Sequence, residues 1–361
     1  MAQTRDGYLW LATQEGLVRF DGVRFEVFNQ RNTPQIRHND VWRLLEGRDG
    51  SLWIGTRGGG LTRYRDGVFT NLSKGDGLSD DSVQSLWEDA GGRLWIGTRG
   101  GGLSRYADGI FTSYTKTNGL SSDTVFVVRE DRAGVLWIGT DGGGLNRYAG
   151  GAFSAITQAD GLPSDTVYAI HEDRAGNLWI GTGAGLVRLR DGAMTVFRTA
   201  DGLSNDNIRA IAEDSDGNLW IGTDGGGLNR YAGGRFSALT RKEGLTNDSI
   251  GAIYEDRERN LWVGTDAGGL VRIKDSKFVT YSTPEGLSND NARSVLEDRA
   301  GNLWIGTFGG LNRLKDGRFS AYGVKDGLSS EVVLSMLEDR DGALWLGTLG
   351  GGLNRFKDGR F

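Results

Sequence analysis

Two sets of side chains in this sequence are suited to recognising a small polar molecule. The first set combines aromatic rings for stacking with arginines for hydrogen bonding: Trp42, Phe126, Tyr168, Arg209 and Arg293. The second set offers charged groups: Arg57, Arg99, Asp141, Asp224 and Asp266. Ligand pockets typically combine an apolar or aromatic surface with a few convergent polar groups. We predict that these ten residues contribute to a ligand-binding site; neutral variation at exposed loop tips is the competing explanation.

Residues for catalysis or metal binding are scarce. The chain has only two histidines, His38 and His171, and no cysteine, which excludes disulfides, thiolate metal sites and cysteine nucleophiles. The G-x-S-x-G, H-E-x-x-H and G-x-x-x-x-G-K-[ST] motifs are all missing. Asp214-Ser-Asp216-Gly217 begins like a calcium loop, but position twelve is Gly225 instead of glutamate. The sequence therefore predicts no catalytic residue, no metal and no cofactor.

The candidate residues are set in a repeat. A Leu-Trp dipeptide recurs every 41 to 43 residues, with its tryptophan at Trp10, Trp53, Trp95, Trp137, Trp179, Trp220, Trp262, Trp304 and Trp345. Positions shared by all copies are expected to be scaffold, and positions that differ are free for function. The ten candidates occupy two positions that differ from copy to copy.

Each copy contains four short apolar runs, which we call a to d. In one copy they are 83–88, 94–98, 103–106 and 110–115, separated by Gly- and Asp-rich turns. Such runs predict β-strands, and four antiparallel strands in about 42 residues match a propeller blade. The 60 glycines and 3 prolines agree with many tight turns. We predict an all-β propeller with few helices.

The number of blades in the ring is open at this point. The simplest interpretation of residues 1–361 is one array of nine blades, the first lacking its inner strand and the last its outer one. The alternative is a seven-bladed ring followed by two blades of a second ring. The irregular d–a loop 29–38 is a candidate functional segment, or it accommodates ring closure.

Two charges recur in phase with the repeat. A glutamate such as Glu88 ends each run a, and an arginine such as Arg105 lies in each run c. We assign both to the scaffold, as a ring of Glu–Arg contacts or as hydrogen-bonded turns. The net charge of −5 argues against nucleic acid as a partner, and the sequence shows neither a signal peptide nor a transmembrane stretch.

The repeat text EDRxGxLWIGTxGGGLxRYxDGxFxxYTxxDGLSxDxV resembles the two-component regulator propeller repeat across essentially the whole chain. The resemblance implies the periplasmic or otherwise extracytoplasmic sensor region of a longer membrane-bound histidine kinase or diguanylate cyclase. It also implies a non-catalytic role in signal transduction, with a carbohydrate or another small molecule as the signal.

Three functions are therefore considered. The favoured one is a ligand- or partner-binding sensor domain. The alternative is a scaffold for protein–protein contacts or homodimerisation without a small-molecule ligand. The third is a hydrolase or lyase built on a propeller frame.

Overall fold

The computed structural model describes residues 1–266, 268–273, 283, 286–289, 291–315, 318–339 and 341–361. The chain divides into two compact units, Met1–Phe278 and Val279–Phe361. Nine antiparallel sheets are present, which confirms the all-β blade prediction, but they are shared between these two units. The sequence predicts one array over residues 1–361; in the described residues seven of the sheets lie in the first unit and two in the second.

The first unit contains seven sheets, called blades 1 to 7 in chain order. Their inner strands are β1 (Ala2–Gln3), β5 (Val41–Glu46), β9 (Val83–Glu88), β13 (Val125–Glu130), β17 (Val167–Glu172), β21 (Ile208–Glu213) and β25 (Ile250–Glu255). The second strands are β2 (Leu9–Thr13), β6 (Leu52–Thr56), β10 (Leu94–Thr98), β14 (Leu136–Thr140), β18 (Leu178–Thr182), β22 (Leu219–Thr223) and β26 (Leu261–Thr265).

The outer half of each blade follows in the same order. The third strands are β3 (Gly16–Phe20), β7 (Leu61–Arg65), β11 (Leu103–Ala107), β15 (Leu145–Ala149), β19 (Gly185–Arg190), β23 (Leu228–Ala232) and β27 (Gly269–Ile273). The outer strands are β4 (Phe25–Phe28), β8 (Val68–Leu72), β12 (Ile110–Tyr114), β16 (Ala152–Ile156), β20 (Ala193–Phe197) and β24 (Arg235–Leu239). Blade 7 is described as far as β27.

The second unit contains two sheets of the same kind. The first consists of β28 (Ala292–Glu297), β29 (Leu303–Thr307), β30 (Gly310–Lys315) and β31 (Arg318–Tyr322). The second consists of β32 (Val333–Glu338), β33 (Leu344–Thr348) and β34 (Gly352–Phe356). The hydrophobic core of this unit is shared between the two sheets and includes Trp304, Leu328 and Leu344.

The loops that join one blade to the next contain single turns of 3-10 helix, at Lys74–Asp76, Lys116–Asn118, Gln158–Asp160, Thr199–Asp201, Arg241–Glu243 and Val324–Asp326. Each is followed by a leucine, such as Leu78 or Leu120, that is buried between blades. The irregular loop 29–38 inserts the fully buried Ile36 into the core between blades 1 and 2. Ile36 of this loop thus fills the space between blades that a leucine fills in the regular loops.

Each core lies between two neighbouring blades, as in other repeat folds. Trp95 of blade 3, for example, packs with Val125, Val128 and Ile138 of blade 4. The glycine two residues after the tryptophan makes this approach possible, since a Cβ on Gly97 would lie 2.6 Å from Val125 Cγ1. The glycine thus accommodates a β-branched side chain of the next blade.

An aspartate in the turn between the first two strands of a blade holds the side chain of the recurring tryptophan in place. Asp89 Oδ2 accepts a hydrogen bond from Trp95 Nε1 at 2.8 Å, and its other oxygen accepts from the backbone of Arg93. Burial acts to raise the pKa of Asp89, but the hydrogen bonds from Trp95 and Arg93 outweigh it and hold the pKa below its usual value. The Asp-x-x-Gly turn is thus structural.

Successive blades are joined by a hydrogen bond that we call the interblade clasp. The glutamate that ends an inner strand accepts from a backbone N–H in the a–b turn of the preceding blade. Glu130 Oε2, for example, accepts from Ala90 N at 2.7 Å. The same bond joins Arg5 to Glu46, Arg48 to Glu88, Arg132 to Glu172, Arg174 to Glu213 and Ser215 to Glu255.

The recurring arginine has a different role from the recurring glutamate. It is paired across the sheet with the conserved tryptophan, as Arg63 is with Trp53, and its guanidinium lies over the indole ring at 5.4 Å. Equivalent stacking occurs at Arg19, Arg188, Arg230, Arg272, Arg313 and Arg355. The sequence suggested either Glu–Arg contacts or hydrogen-bonded turns. For the glutamate the structure shows the second, a hydrogen bond to a turn.

Blade 7 packs on blade 1 and closes a ring of seven. Arg257 N of blade 7 donates to Gln3 Oε1 at 3.0 Å, so Gln3 completes the clasp in the place of glutamate. Arg257 also donates to the Arg5 carbonyl, and the rings of Phe20 and Trp262 meet edge to face. The first unit therefore contains the seven-bladed ring of the alternative prediction.

The prediction that blade 1 lacks its inner strand is wrong. Ala2 and Gln3 form β1, which pairs antiparallel with Leu9 and Trp10 of β2. Two residues are enough because Gln3 takes the clasp position and Thr4 accepts from Trp10 Nε1 as the aspartate does elsewhere. The sheet that contains β34 has three strands within the described residues.

Gly97→Ala should destabilise the ring by about 1–3 kcal/mol, because the added methyl group collides with Val125 in a packed interblade core. Urea unfolding measures the change. Gly75→Ala is the matched control, since nothing but Ser73 Oγ, at 3.6 Å, lies near its Cβ. Equal stabilities of the two variants would contradict close packing at this position.

Gln3→Glu should weaken ring closure by about 1 kcal/mol, because Gln3 Nε2 donates to Glu258 Oε2 at 3.3 Å and a carboxylate there would be repelled. Adding Glu258→Ala should restore the loss, which a double-mutant cycle of thermal unfolding measures. An additive result, with no rescue, would show that residues 3 and 258 are not neighbours.

Candidate ligand site at the mouth of the channel

The seven inner strands surround a central channel, and a cavity of about 410 Å³ lies at one end of it, which we call the mouth. Blades 2 to 7 all contribute to its lining. The residues are Arg43, Gln84, Phe126, Asp141, Tyr168, Arg209, Asp224, Ser249, Ile250, Gly251 and Asp266. Six of the predicted binding residues are thus gathered around one space.

In blades 2 to 7 a bulge in the inner strand directs the variable side chain away from the sheet. The pairing register shifts between Val125 and Val127, and between Val167 and Ala169, which leaves Phe126 and Tyr168 outside the ladder. Bulges commonly re-aim a side chain in this way. The two rings therefore meet at the mouth with their centroids 5.2 Å apart.

Arg209 links the aromatic pair to the acidic side of the cavity. Its guanidinium lies 4.3 Å from the centre of the Tyr168 ring, and it forms a 2.8 Å ion pair with Asp224. The hydrogen bond from Arg209, with a further one from Ser249, holds the pKa of Asp224 below its usual value against the effect of burial. Asp224 is therefore ionised at neutral pH and fixed in position.

The other two aspartates offer acceptors from neighbouring turns. Asp141 accepts from Thr166 Oγ1 at 3.2 Å, and Asp266 lies next to Gly251. Gly251 takes the position that Phe126 and Tyr168 occupy in their blades. A Cβ at Gly251 would meet Asp266 Oδ1 at 3.9 Å and no other atom of the described residues within 4 Å, so this side of the cavity is open. The arrangement combines an aromatic wall, carboxylate acceptors and an unfilled side, which suits a hydroxylated molecule.

Four predicted residues do not line this cavity. Trp42 and Arg57 pack on each other at 5.7 Å, and Arg57 forms an ion pair with Asp40. Arg99 is held by a backbone bridge to Thr124, and its N–H donates to the Ser82 carbonyl at 3.0 Å. Arg293 belongs to the second unit, where its guanidinium lies 4.7 Å from the centre of the Phe308 ring.

The sequence-based prediction missed Arg43, Ser249 and Ile250, and it passed over Gln84 and Gly251. The signal for Arg43 was present, because the other inner strands carry only small or apolar residues at this position, such as Ser85 and Ala169. The prediction rests on the second residue of the inner strand and on the residue after the threonine of the second strand, and so it does not include the third residue, Arg43. Ser249 carries no such signal and enters the cavity through its bond to Asp224.

His171 lies on β17 with its Nε2 atom buried and without a hydrogen-bond partner among the described residues. Burial, reinforced by the charge of Arg129, lowers the pKa of His171 to about 4. The imidazole is therefore neutral at physiological pH. No step of a catalytic reaction is indicated by this arrangement.

A family model and solved structures relate this architecture to known proteins. The fold defines the class as a β-propeller with seven blades in its first unit and two further sheets of the same kind in its second. Seven segments match the family model of the two component regulator propeller, at residues 35–58, 119–142, 161–184, 202–225, 244–267, 286–309 and 327–350. The chain belongs to this family. No match was found among curated proteins.

Solved structures extend the comparison. The extracellular domain of a hybrid two-component system from B. thetaiotaomicron is 29% identical, with a TM-score of 0.68 over 99% of this chain and 51% of that one. The chain thus spans about half the length of that domain. PorZ of Porphyromonas gingivalis, a bacterial surface component of the type-IX secretion system, shares the fold at 15% identity and a TM-score of 0.57, over 97% of this chain and 57% of PorZ. Within the described residues, no helix is long and apolar enough to cross a membrane.

Acidification should destabilise the first unit through His171. Its pKa is about 4 in the folded state and near 6.5 when unfolded, so the unfolded chain binds a proton that the folded chain refuses. The stabilising preference for the neutral ring is complete above pH 6.5 and is lost as the pH falls towards 4. Urea unfolding at several pH values should show a shallower decline for His171→Gln than for the parent; equal slopes would contradict the assignment.

Proposed function

We propose that this chain is the non-catalytic, extracytoplasmic sensor region of a two-component type regulator, and that it binds a small hydroxylated signal at the mouth of the channel. The observation that carries the proposal is the convergence of variable residues from different blades, Phe126, Tyr168 and Asp224 among them, on one cavity. Homology to the extracellular domain of a two-component system supports the setting.

The chemistry of the cavity favours a carbohydrate. Sugar rings present apolar C–H faces that pack on aromatic side chains, and their hydroxyl groups donate to carboxylates. The Phe126–Tyr168 pair offers the first kind of contact, and Asp141, Asp224 and Asp266 offer the second. A cavity of about 410 Å³ falls in the usual range of small-molecule sites.

Thermal-shift titration of the full chain with a panel of neutral and acidic mono- and oligosaccharides tests the proposal. For any sugar that binds, Tyr168→Ala should weaken the affinity by about 10-fold through loss of the stacking face. Gly251→Trp should abolish binding because the indole ring would fill the open side of the cavity. The variant should fold, since every other inner strand that contributes to the mouth carries a larger side chain at this position.

Phe25→Ala is the matched control, because this exposed ring lies on an outer strand and stacks only on Phe20 among aromatic rings of the described part. It should leave binding unchanged. If no sugar of the panel stabilises the protein while sedimentation shows concentration-dependent self-association, the scaffold alternative replaces the sensor proposal.

A further inference from the structure

Two inner-strand positions depart from the pattern of the other blades. The third residue of the inner strand is small or apolar in the other full-length copies, at Ser85, Val127, Ala169, Ala210, Ala252, Ser294 and Ser335, but it is Arg43 in blade 2. The fifth residue of the full-length inner strands is an arginine only at Arg129. In the other copies it is Leu45, Trp87, His171, Ala212, Tyr254, Leu296 and Leu337. These two cations are therefore not part of the repeated scaffold.

Both arginines lack an anionic partner among the described residues. Arg43 Nη1 donates to the Trp42 carbonyl at 2.8 Å, and Arg129 Nη1 donates to the Val128 carbonyl at 3.2 Å. Each guanidinium has five N–H donors, so most of them are unused in these contacts. By contrast, Arg209 in the same channel is paired with a carboxylate, Asp224.

The two arginines are close enough to act on each other's charge. Desolvation by the channel walls lowers the pKa of Arg43, and the same effect together with the nearby charge of Arg43 lowers the pKa of Arg129 to about 10. A guanidinium group stays protonated in proteins. The two cations therefore repel each other, although the side chain of Arg43 is exposed to the channel and that of Arg129 is only partly buried. A bound anion would relieve this repulsion.

Two further polar atoms of the channel are unsatisfied. Trp87 Nε1, which can only donate, is buried without a partner, and the guanidinium of Arg129 lies 4.8 Å from the centre of the Trp87 ring. His171 Nε2, in the blade after that of Arg129, is also buried without a hydrogen-bond partner among the described residues, and Glu213 Oε2 lies 3.9 Å from it. Trp87, Arg129 and His171 occupy the same inner-strand position in three successive blades.

We propose that the channel binds the oxyanion group of an acidic ligand, a carboxylate or a sulfate, between Arg43 and Arg129, with Trp87 Nε1 as a further donor. Arginine is suited to this role because its planar fork matches both kinds of oxyanion. Arg43 also lines the mouth cavity, so the hydroxylated remainder of the ligand would lie against Phe126 and Tyr168. This inference rests on the proposed function and names its ligand class.

The acidic residues at the mouth narrow the class further. Asp224 is neutralised by Arg209, but Asp141 and Asp266 form no ion pair within the part of the chain that the structure describes. They favour hydroxyl groups and repel a second anionic group outside the channel. The arrangement therefore selects a ligand with one acidic group at the end that enters the channel.

The test uses the full chain with three probes: D-glucuronate, inorganic sulfate and D-glucose. Glucuronate should stabilise the protein in thermal-shift titrations and should shift the indole N–H signal of Trp87, assigned with Trp87→Phe. Sulfate should raise the melting temperature and shift the Trp87 signal by more than sodium chloride of equal ionic strength does. D-glucose should not shift the Trp87 signal. A carboxylate preference and a sulfate preference are told apart by the two acidic probes.

Arg43→Gln and Arg129→Gln should each weaken glucuronate and sulfate binding by about 10-fold. Arg43→Lys, which keeps the charge, should lose less. Arg190→Gln is the matched control, since Arg190 lies at the outer end of β19 beside Asp191 and should not affect binding. Without any anion, Arg43→Gln should melt at the same or a higher temperature than the parent, which shows that the variant folds.

Anion binding that survives both glutamine variants, or no response to either acidic probe, would overturn this inference. Binding of a neutral sugar that depends on Tyr168 but not on Arg43 would overturn it while supporting the proposed function. Failure of every sugar, together with sulfate binding that depends on Arg43 and Arg129, would keep the anion site and remove the hydroxylated ligand.

Discussion

The interblade clasp is the interaction on which the first unit depends. A glutamate at the end of one inner strand accepts a backbone N–H from the preceding blade, as Glu130 does from Ala90. A hydrogen bond to a carboxylate is stronger than one between neutral groups. Because it uses the backbone of the turn, it is insensitive to which side chain the turn carries. The blades can therefore vary elsewhere without losing their mutual orientation.

This constraint explains where function can be placed. The tryptophan, its aspartate and the glycine opposite Val125 are fixed by interblade packing, so they are the same in nearly every blade. In blades 2 to 7 the bulged second residue of the inner strand is outside the ladder and takes no part in the clasp. It is therefore free to differ between blades, and at the mouth these differences produce a cavity with an aromatic, an acidic and an open side.

The blade was predictable from sequence because strand, turn and core signals recur in phase. The size of the ring was not, since the clasp that closes it joins Arg257 to Gln3, and neither residue stands out locally. Gln3 replaces glutamate because Glu258 faces it, a contact that only the closed ring creates. Arg293 belongs to the second unit and is not among the residues that line the cavity, and this division between the units follows from where the ring closes.

Protection of the Arg257 amide from hydrogen exchange tests the seven-bladed ring most directly. In the closed ring this N–H is bonded to Gln3, just as the amides of Arg132 and Arg174 are bonded to Glu172 and Glu213. We predict that exchange in the full chain is slowed at Arg257 to a similar degree as at these two amides, and that Gln3→Ala removes the protection at Arg257 alone. An Arg257 amide that exchanges as freely as an exposed loop in the parent protein would contradict the closed ring.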